Sequence, residues 1–408
     1  MKQIWVISEL YYPEETSTGY FLTKIAEGLT RYYSVDVLCS QPTYSERGVR
    51  APAREQHNGV SIQRCRGTTL NKDVLIIRLI NLITISLSIF FNAWLRIGRR
   101  DVVLVVTNPS LLPFLVNWVC RLRGAKCLLL IHDVYPEVLI ATGMARESSI
   151  LARVVGWFTR RLYQTVSRII VLGRDMADLS AHKLKGKSTK ITIIPNWADL
   201  DLVSPQSRSE NRLLNELDSS DRFVIQYAGN MGRTHDLESL WQAAQKLAHE
   251  KAVHFLFIGS GAKRHWLEQT IRDKELVNMT LLPRVPRGDL VTMLNACDVA
   301  IISFVPGMAG ISVPSRMYNI MAAGKPIIAV ADENSELGLV VKEERIGWVV
   351  PPGDVDRIVA AILDARANTA CLAEMGQRAR QAAETKYSFE CVIESYHSLI
   401  QGLGDTIK

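Results

Sequence analysis

The stretch RFVIQYAGNMGRTHDLESLWQAAQKLAHEKAVHFLFIG, residues 222–259, holds one complete folding unit. Its ends, RFVIQYAG (222–229) and VHFLFIG (253–259), are short and apolar at successive positions, the pattern of strands covered on both faces by helices. Residues 236–249 between them carry apolar side chains at helical spacing. Strand, helix, strand is a parallel pair joined by a right-handed crossover. The unit recurs downstream, where DVAIIS (298–303), KPIIAV (325–330) and GWVV (347–350) alternate with helices over 287–296, 316–323 and 354–365. Upstream, IWVIS (4–8), SVDVLC (34–39), DVVLVV (101–106), KCLLLI (126–131), SRIIVL (167–172) and KITIIP (190–195) repeat the pattern. The expected fold is α/β, with two doubly wound, Rossmann-like parallel-sheet domains facing across a cleft at the carboxyl ends of their strands.

The chain has 408 residues, which suits two such domains. Its apolar share of 48% and charged share of 22% exclude a disordered or collagen-like chain. Seven scattered cysteines form no Cys-x-x-Cys pair, which excludes a disulfide scaffold or zinc ribbon and suits a reducing compartment. The start, MKQIWVISEL, leads straight into a strand, so no secretory signal is expected. Apolar periodicity stops at PNWADLDLVSPQSRSEN (195–211) and divides the chain into domains 1–198 and 199–385. A final helix, 386–408, is expected to cross back to the first domain.

Charge is unevenly placed. Residues 1–200 hold 26 Lys and Arg against 15 Asp and Glu, while residues 201–408 hold 22 against 26. A basic half beside a slightly acidic one suggests that the first half meets a polyanion.

The candidate chemistry lies at strand ends. Gly229-Asn230-Met231-Gly232-Arg233 and Gly259-Ser260-Gly261-Ala262-Lys263 are two glycine turns on adjacent strands, each delivering a cation where backbone N–H groups can approach a phosphate. The second turn is not the dinucleotide fingerprint, because Arg264 holds the third glycine position. Downstream, Ile311-Ser312-Val313-Pro314-Ser315-Arg316 feeds a helix, with Ser312 as the expected N-cap. Within that helix Asn319 sits among apolar residues and needs partners for both halves of its amide, which sugar hydroxyls would supply. In the first domain Thr18 and Gly19 open the helix after the first strand, and His132 ends the strand KCLLLI, where an imidazole can hold or deprotonate a hydroxyl. No His, Cys or Asp cluster has metal-ligand spacing, and no Gly-x-Ser-x-Gly elbow is present.

The segments YYPEETSTGYFLTKIAEGL (11–29), HDVYPEVLIATG (132–143), IPNWAD (194–199), YAGNMGRTHDLESL (227–240), FIGSGAKRHWLE (257–268), VPSRMYNIMAAGKPIIAV (313–330) and GWVVPPGD (347–354), in this order, resemble the family-four retaining glycosyltransferases of the GT-B fold. The resemblance is nearest to bacterial sugar transferases of O-antigen, capsule and colanic-acid assembly. It implies that the second domain binds a nucleotide-sugar donor, UDP-linked ahead of GDP-linked, and that the first binds the acceptor. Arg233 and Lys263 match the basic pair that neutralises the diphosphate leaving group, with Gly229, Asn230 and Gly261 beside them. Thr18 and Gly19 approach the donor phosphates, Arg284 and Val285 border the base, and His132 lies near the sugar. One departure concerns two glutamates seven residues apart in many members, whose positions here hold Ile311 and Asn319. Asn319 still offers an amide to a ribose, whereas Ile311 offers nothing polar, so backbone N–H groups near Ser312 and Val313 must substitute. The resemblance implies retention, no cofactor beyond the nucleotide-sugar co-substrate and no metal, because cations and helix termini stabilise the leaving group. The expected cargo is an N-acetylated or deoxy hexose.

Residues 79–95, LINLITISLSIFFNAWL, carry no charge, and Asn81, Thr84, Ser88 and Asn92 form a narrow polar stripe on a helix of about 74–97. Arginines flank it, and RVVGWFTRRLYQTVSR (153–168) is similarly basic and apolar. The alternatives are an interfacial helix or helix pair on an anionic membrane surface, a buried crossover helix, and a transmembrane span, for which the 17 uncharged residues fall just short of the ~20 needed. The first places the protein at the cytoplasmic face of the inner membrane, acting on a lipid-linked, polyprenyl-diphosphate or other glycan acceptor. Competing functions are a nucleotide-sugar epimerase on the same fold and a non-catalytic membrane-associated subunit. Nucleic acid is not an expected partner, since the aromatics are not interleaved with basic residues on a strand platform.

Overall fold

Residues 3–42, 50–68, 75–186 and 188–403 are described by a computed structural model of the chain. They fall into two compact units. Unit one is Met1–Pro136, Ser148–Pro195 and Val392–Lys408, and unit two is Glu137–Glu147 and Asn196–Cys391. The short segment Glu137–Glu147, expected with the first domain, counts with the second. Its Val138 and Ala141 are apolar and pack on the second unit's core.

Unit one contains an eight-stranded sheet of β1 (Gln3–Ile7), β2 (Ser34–Cys39), β3 (Arg54–His57), β4 (Val60–Arg64), β5 (Val102–Val106), β6 (Lys126–Leu130), β7 (Arg168–Val171) and β8 (Ile191–Ile193). The order is β3-β4-β2-β1-β5-β6-β7-β8, parallel except for the antiparallel β3–β4 edge. That hairpin was not foreseen, because REQH lacks apolar character and lies half exposed at the edge. The chain leaves β1 in one direction and returns at β5 on its other side. The loops between those strand ends therefore open at a switch point, where ligands of such sheets bind. The helix Phe389–Gly402 ends in this unit, with Tyr32 stacked on His397 at 3.8 Å and Tyr33 Oη 3.0 Å from His397 Nδ1. Residues 404–408 of the expected terminal segment lie outside the described residues.

Unit two contains a six-stranded parallel sheet of β9 (Phe223–Asn230), β10 (Val253–Ser260), β11 (Met279–Leu282), β12 (Val299–Ser303), β13 (Ile327–Val330) and β14 (Gly347–Val350). Its order, β11-β10-β9-β12-β13-β14, puts the switch point between β9 and β12. Strand periodicity divides the core into two layers. Val224, Leu256 and Ile258 face one helical layer, while Ile225, Tyr227, Phe255 and Phe257 face the other. Both layers are built of buried apolar side chains, as the continuous apolar runs require.

The helix Leu75–Arg96 runs along unit one; residue 74 and the side chains of residues 75–79 lie outside the described residues. Its polar stripe points inward. Asn81 is buried, Thr84 Oγ1 lies 2.7 Å from Thr68 Oγ1, and Asn92 Oδ1 accepts from Gln63 Nε2 at 3.1 Å. Ile85, Ile89 and Ala93 are buried beside the stripe. Among the described residues no helix is long and apolar enough to cross a membrane.

Candidate active site

In unit two, β9 and β10 run side by side through the register pairs Gly259–Gly229 and Ser260–Asn230, then diverge into the two glycine turns. Gly259, at φ +151°, permits the closest approach: a Cβ there would lie 1.9 Å from the Gly229 oxygen. Gly229 and Gly261 are equally confined, since a Cβ would meet Arg316 Nη1 at 2.7 Å and the Met231 carbonyl at 2.6 Å respectively. Met231 N–H donates to Ser260 O at 2.8 Å and Lys263 N–H to Met231 O at 2.9 Å, so the turns brace each other. Asn230 lends its carbonyl to the Tyr227 hydroxyl at 2.6 Å.

The cations are placed differently. Arg233 is exposed and has no partner among the described residues. Lys263 Nζ donates to His235 O and Glu238 Oε2, both at 2.7 Å. Arg316 is locked more deeply, donating to Ala228 O at 3.0 Å with its guanidinium 4.7 Å above the Tyr227 ring. Glu238 and Tyr227 are therefore part of the site, and sequence reasoning did not single them out. The one available signal was Glu238 in the first turn of the helix after Arg233, where an acid suits the helix N-terminus. Arg264, the residue that breaks the dinucleotide fingerprint, donates to Gly259 O at 2.9 Å and Leu282 O at 2.7 Å, pinning the ends of β10 and β11. Beyond β11, Arg284 is exposed and Val285 packs on the core.

The loop before Arg316 departs from expectation in two respects. Its helix is Arg316–Ala322 and the capping position is Ser315, which makes no side-chain cap bond, so Ser312 is not the N-cap. The reason is that Pro314 precedes the helix and its carbonyl accepts from Met317 N–H in a turn. Asn319 does not hold both halves of its amide for a ligand: Asp199 N–H already donates to its Oδ1 at 2.8 Å, leaving the NH2 group. Ile311, Val313 and Pro314 are buried. The backbone N–H groups of Ser312 and Val313, like those of Gly261 and Ala262, find no acceptor among the described residues. N–H groups without acceptors, on turns that also carry cations, are the kind of arrangement that can bind an anion.

Of the four carboxylates in this unit's two Asp-x-Asp triplets, Asp201 is exposed and the other three have partners. Asp199 pairs with Arg287 at 2.9 Å, Asp354 caps the helix Val355–Ala367 by accepting Arg357 N–H, and Asp356 pairs with Lys246.

In unit one the helix Ser17–Leu29 starts after Thr16, whose Oγ1 accepts Gly19 N–H at 3.2 Å. Gly19 is required, since a Cβ would meet Glu14 O at 2.8 Å. The structure brings Thr18 to His132, with Oγ1 3.2 Å from Nδ1, while His132 N–H donates to Thr107 Oγ1. His132 Nε2 is buried and has no partner among the described residues. Burial pushes the imidazole down to about 4 and the neighbouring Asp133 carboxyl up to about 6. A neutral ring held through Nδ1 leaves Nε2 for a bound hydroxyl.

These shifts have a readable consequence. His132 titrates near 6.5 when unfolded, so its stabilising contribution is complete above that value and is lost as pH falls towards about 4. Asp133 opposes it, because a raised carboxyl stabilises below its unfolded value and loses that contribution as pH rises through about 6. We expect His132→Gln to flatten the decline of the urea midpoint between pH 6.5 and 5, and Asp133→Asn to steepen it. Unchanged slopes in both would contradict the buried placement of this pair.

The family described as glycosyl transferases group 1 matches residues 210–383, and the glycosyl transferase 4-like domain matches residues 18–197. The chain is 31% identical to the probable glycosyltransferase WbjE of Pseudomonas aeruginosa, over 99% of this chain and 98% of that one. It is 24% identical to the putative colanic acid biosynthesis glycosyl transferase WcaI of Escherichia coli (strain K12), over 96% and 98% of the two chains. A further Escherichia coli relative, named as a UDP-Gal:alpha-D-GlcNAc-diphosphoundecaprenol alpha-1,3-galactosyltransferase, is 24% identical over 64% of this chain and 65% of its own. Among solved structures, sucrose-phosphate synthase of Thermosynechococcus elongatus matches with a TM-score of 0.79 at 17% identity, covering 99% of this chain and all of the other.

Proposed function

The chain belongs to the group 1 glycosyltransferases, with a 4-like first domain and the GT-B fold, and on that premise we propose that it transfers a sugar from UDP to a lipid-linked glycan acceptor in cell-surface polysaccharide synthesis. The observation that carries this reading is the set of groups at neighbouring strand ends of unit two: Arg233 after β9, Lys263 and the N–H groups of Gly261 and Ala262 after β10, and the N–H groups of Ser312 and Val313 after β12, none of these N–H groups having an acceptor among the described residues. The polysaccharide role is supported by the WcaI relative, and UDP and a diphospholipid acceptor by the name of the galactosyltransferase relative.

Breaking the anomeric carbon–oxygen bond places negative charge on the departing diphosphate. Fixed donors aimed at that charge each contribute roughly 2–4 kcal/mol to the transition state. Arg233 is exposed and has no partner among the described residues, so it is ready to meet that charge. Lys263 is held by Glu238 at a pair that is only partly buried, so an incoming diphosphate competes for it at little cost. The resemblance of the motifs implies no divalent metal, and Arg233 and Lys263 supply the positive charge that would meet the leaving group in its place. In unit one, His132 Nε2 would take a hydroxyl of the sugar or acceptor as a neutral hydrogen-bonding group. Retention at the anomeric carbon follows from the resemblance of the motifs. Its check is the anomeric coupling constant of the product, and the check on metal independence is turnover in chelator.

The test of donor binding is thermal. A ligand at about 100 times its dissociation constant adds roughly 2.7 kcal/mol, a rise of several degrees in a chain of this size. UDP is expected to raise the melting temperature of the wild type and to do so much less in Lys263→Ala. A rise with GDP alone would replace the base. No rise with either nucleotide would favour a non-catalytic subunit.

A further inference from the structure

Three helices of unit one lie side by side: Leu75–Arg96, Leu112–Arg123 and Ile150–Thr165. Phe90 stacks on Trp118 at 5.5 Å across the first pair, and Phe114 meets Phe158 edge-on at 6.1 Å across the second. The layer they form is turned the wrong way round for water. Its polar stripe, Asn81, Thr84 and Asn92, is spent on the protein, and its apolar residues are outside. Phe91 is 60% exposed, Leu95 74%, Trp118 53%, Leu122 54% and Trp157 49%, continued by Ile83, Leu87, Val154 and Phe158. Scattered exposed leucines are ordinary, but a contiguous apolar face across three neighbouring helices marks an interaction surface.

The charge on the layer identifies its partner. The three helices carry seven arginines and no aspartate, glutamate or lysine. Arg121, Arg123, Arg153, Arg160 and Arg161 are exposed among the apolar residues, and Arg123 and Arg161 lie over Trp94 and Trp157 at 5.0 and 5.4 Å. A second copy of this chain would bring the same arginines against one another, a repulsion that no acid on these helices relieves. Tryptophan, leucine and arginine on one uncapped face instead match an anionic lipid surface, with the apolar side chains at acyl depth and the arginines at the head groups. We propose that this three-helix face docks unit one onto an anionic bilayer without crossing it. The helix Leu112–Arg123 begins five residues after Thr107, which holds the His132 backbone, so the lipid face and the candidate acceptor group share one strand end.

The proposal stands on the face itself and does not depend on the transfer reaction. Its test is flotation of the full chain with vesicles of phosphatidylcholine, alone or with about one-third phosphatidylglycerol. Binding is expected to the anionic vesicles, to weaken with salt, and to bring quenching of tryptophan fluorescence by brominated lipid. Phe91→Glu with Leu95→Glu should weaken binding about tenfold or more, at an unchanged melting temperature because both side chains are exposed. Arg121→Glu with Arg160→Glu removes charge without touching the apolar residues and should also weaken it about tenfold or more. Val277→Glu, 82% exposed in unit two, should bind like the wild type. Wild-type binding by both double variants, or equal binding to neutral and anionic vesicles, would overturn the proposal. So would a lipid-free dimer that the Phe91 and Leu95 changes dissolve, because the face would then belong to a second copy. Transfer onto a short, soluble acceptor should survive both double variants, and its loss in the wild type would count against the sugar-transfer reading alone.

Discussion

Lys263→Ala and Arg233→Ala are each expected to lower kcat/KM by about 10²–10³-fold, the loss that follows removal of one fixed donor to a developing anion. The fold should be nearly untouched. Arg233 has no partner to lose among the described residues. The Lys263–Glu238 pair is 19% and 46% exposed in its two side chains, so breaking it costs less than about 1 kcal/mol, and losing the bond to His235 O adds about 1 kcal/mol more. The measurement is single-turnover transfer alongside thermal melting. A large loss of turnover at constant melting temperature supports the diphosphate role. If Lys263→Ala turned over at the wild-type rate, the charge of the leaving group would have to be met elsewhere.

Gly259→Ala should have the largest effect on stability. Its Cβ would fall 1.9 Å from the Gly229 carbonyl oxygen, inside the parallel pairing of β9 and β10, at a backbone φ of +151° that L side chains avoid. Neither strand can move alone, since both lie in the middle of the sheet with layers of buried apolar side chains above and below. We expect a loss of about 4 kcal/mol or more, which corresponds to roughly 10 °C in melting temperature or to failure to accumulate as soluble protein. Gly353→Ala is the comparison. It has φ +84° and nothing within 4 Å of its Cβ, so it pays backbone strain alone, about 1–2 kcal/mol. Equal effects of the two substitutions would show that strain rather than the clash governs Gly259. The turn that precedes Lys263 starts at this glycine, so a surviving Gly259→Ala protein should also bind UDP more weakly.

Much of the site was legible because its parts are local. A glycine turn followed by a cation is visible in four or five letters, as in Gly229–Arg233 and Gly259–Lys263, and both turns sit at adjacent strand ends. What escaped notice depended on partners far away in sequence. Tyr227 supports Arg316 from 89 positions upstream, Glu238 meets Lys263 across 25 residues, and Asp199 consumes the Asn319 carbonyl across 120. The strands β3, β4 and β11 were missed for another reason: β3 and β11 are short edge strands that bury little, and β4 alternates buried with half-buried positions, so none carries a continuous apolar run.

From the sequence alone came the two doubly wound sheets, since short apolar runs alternating with amphipathic helices can bury themselves in few other ways. The glycines and cations of the two turns came from the same source. Tertiary structure decided the outcome for the helix Leu75–Arg96. Its letters contain a polar stripe and several apolar faces, and either side could have met the solvent. The half-buried Gln63 turned the polar stripe inward, because an amide packed against the sheet must be hydrogen-bonded and Asn92 supplies the partner, while the exposed Thr68 meets Thr84 at the rim. With the polar groups satisfied inside, Phe91 and Leu95 were left outside. A hydrogen-bond partner has no fixed spacing along a chain, and only the folded sheet brings it within 3 Å or so.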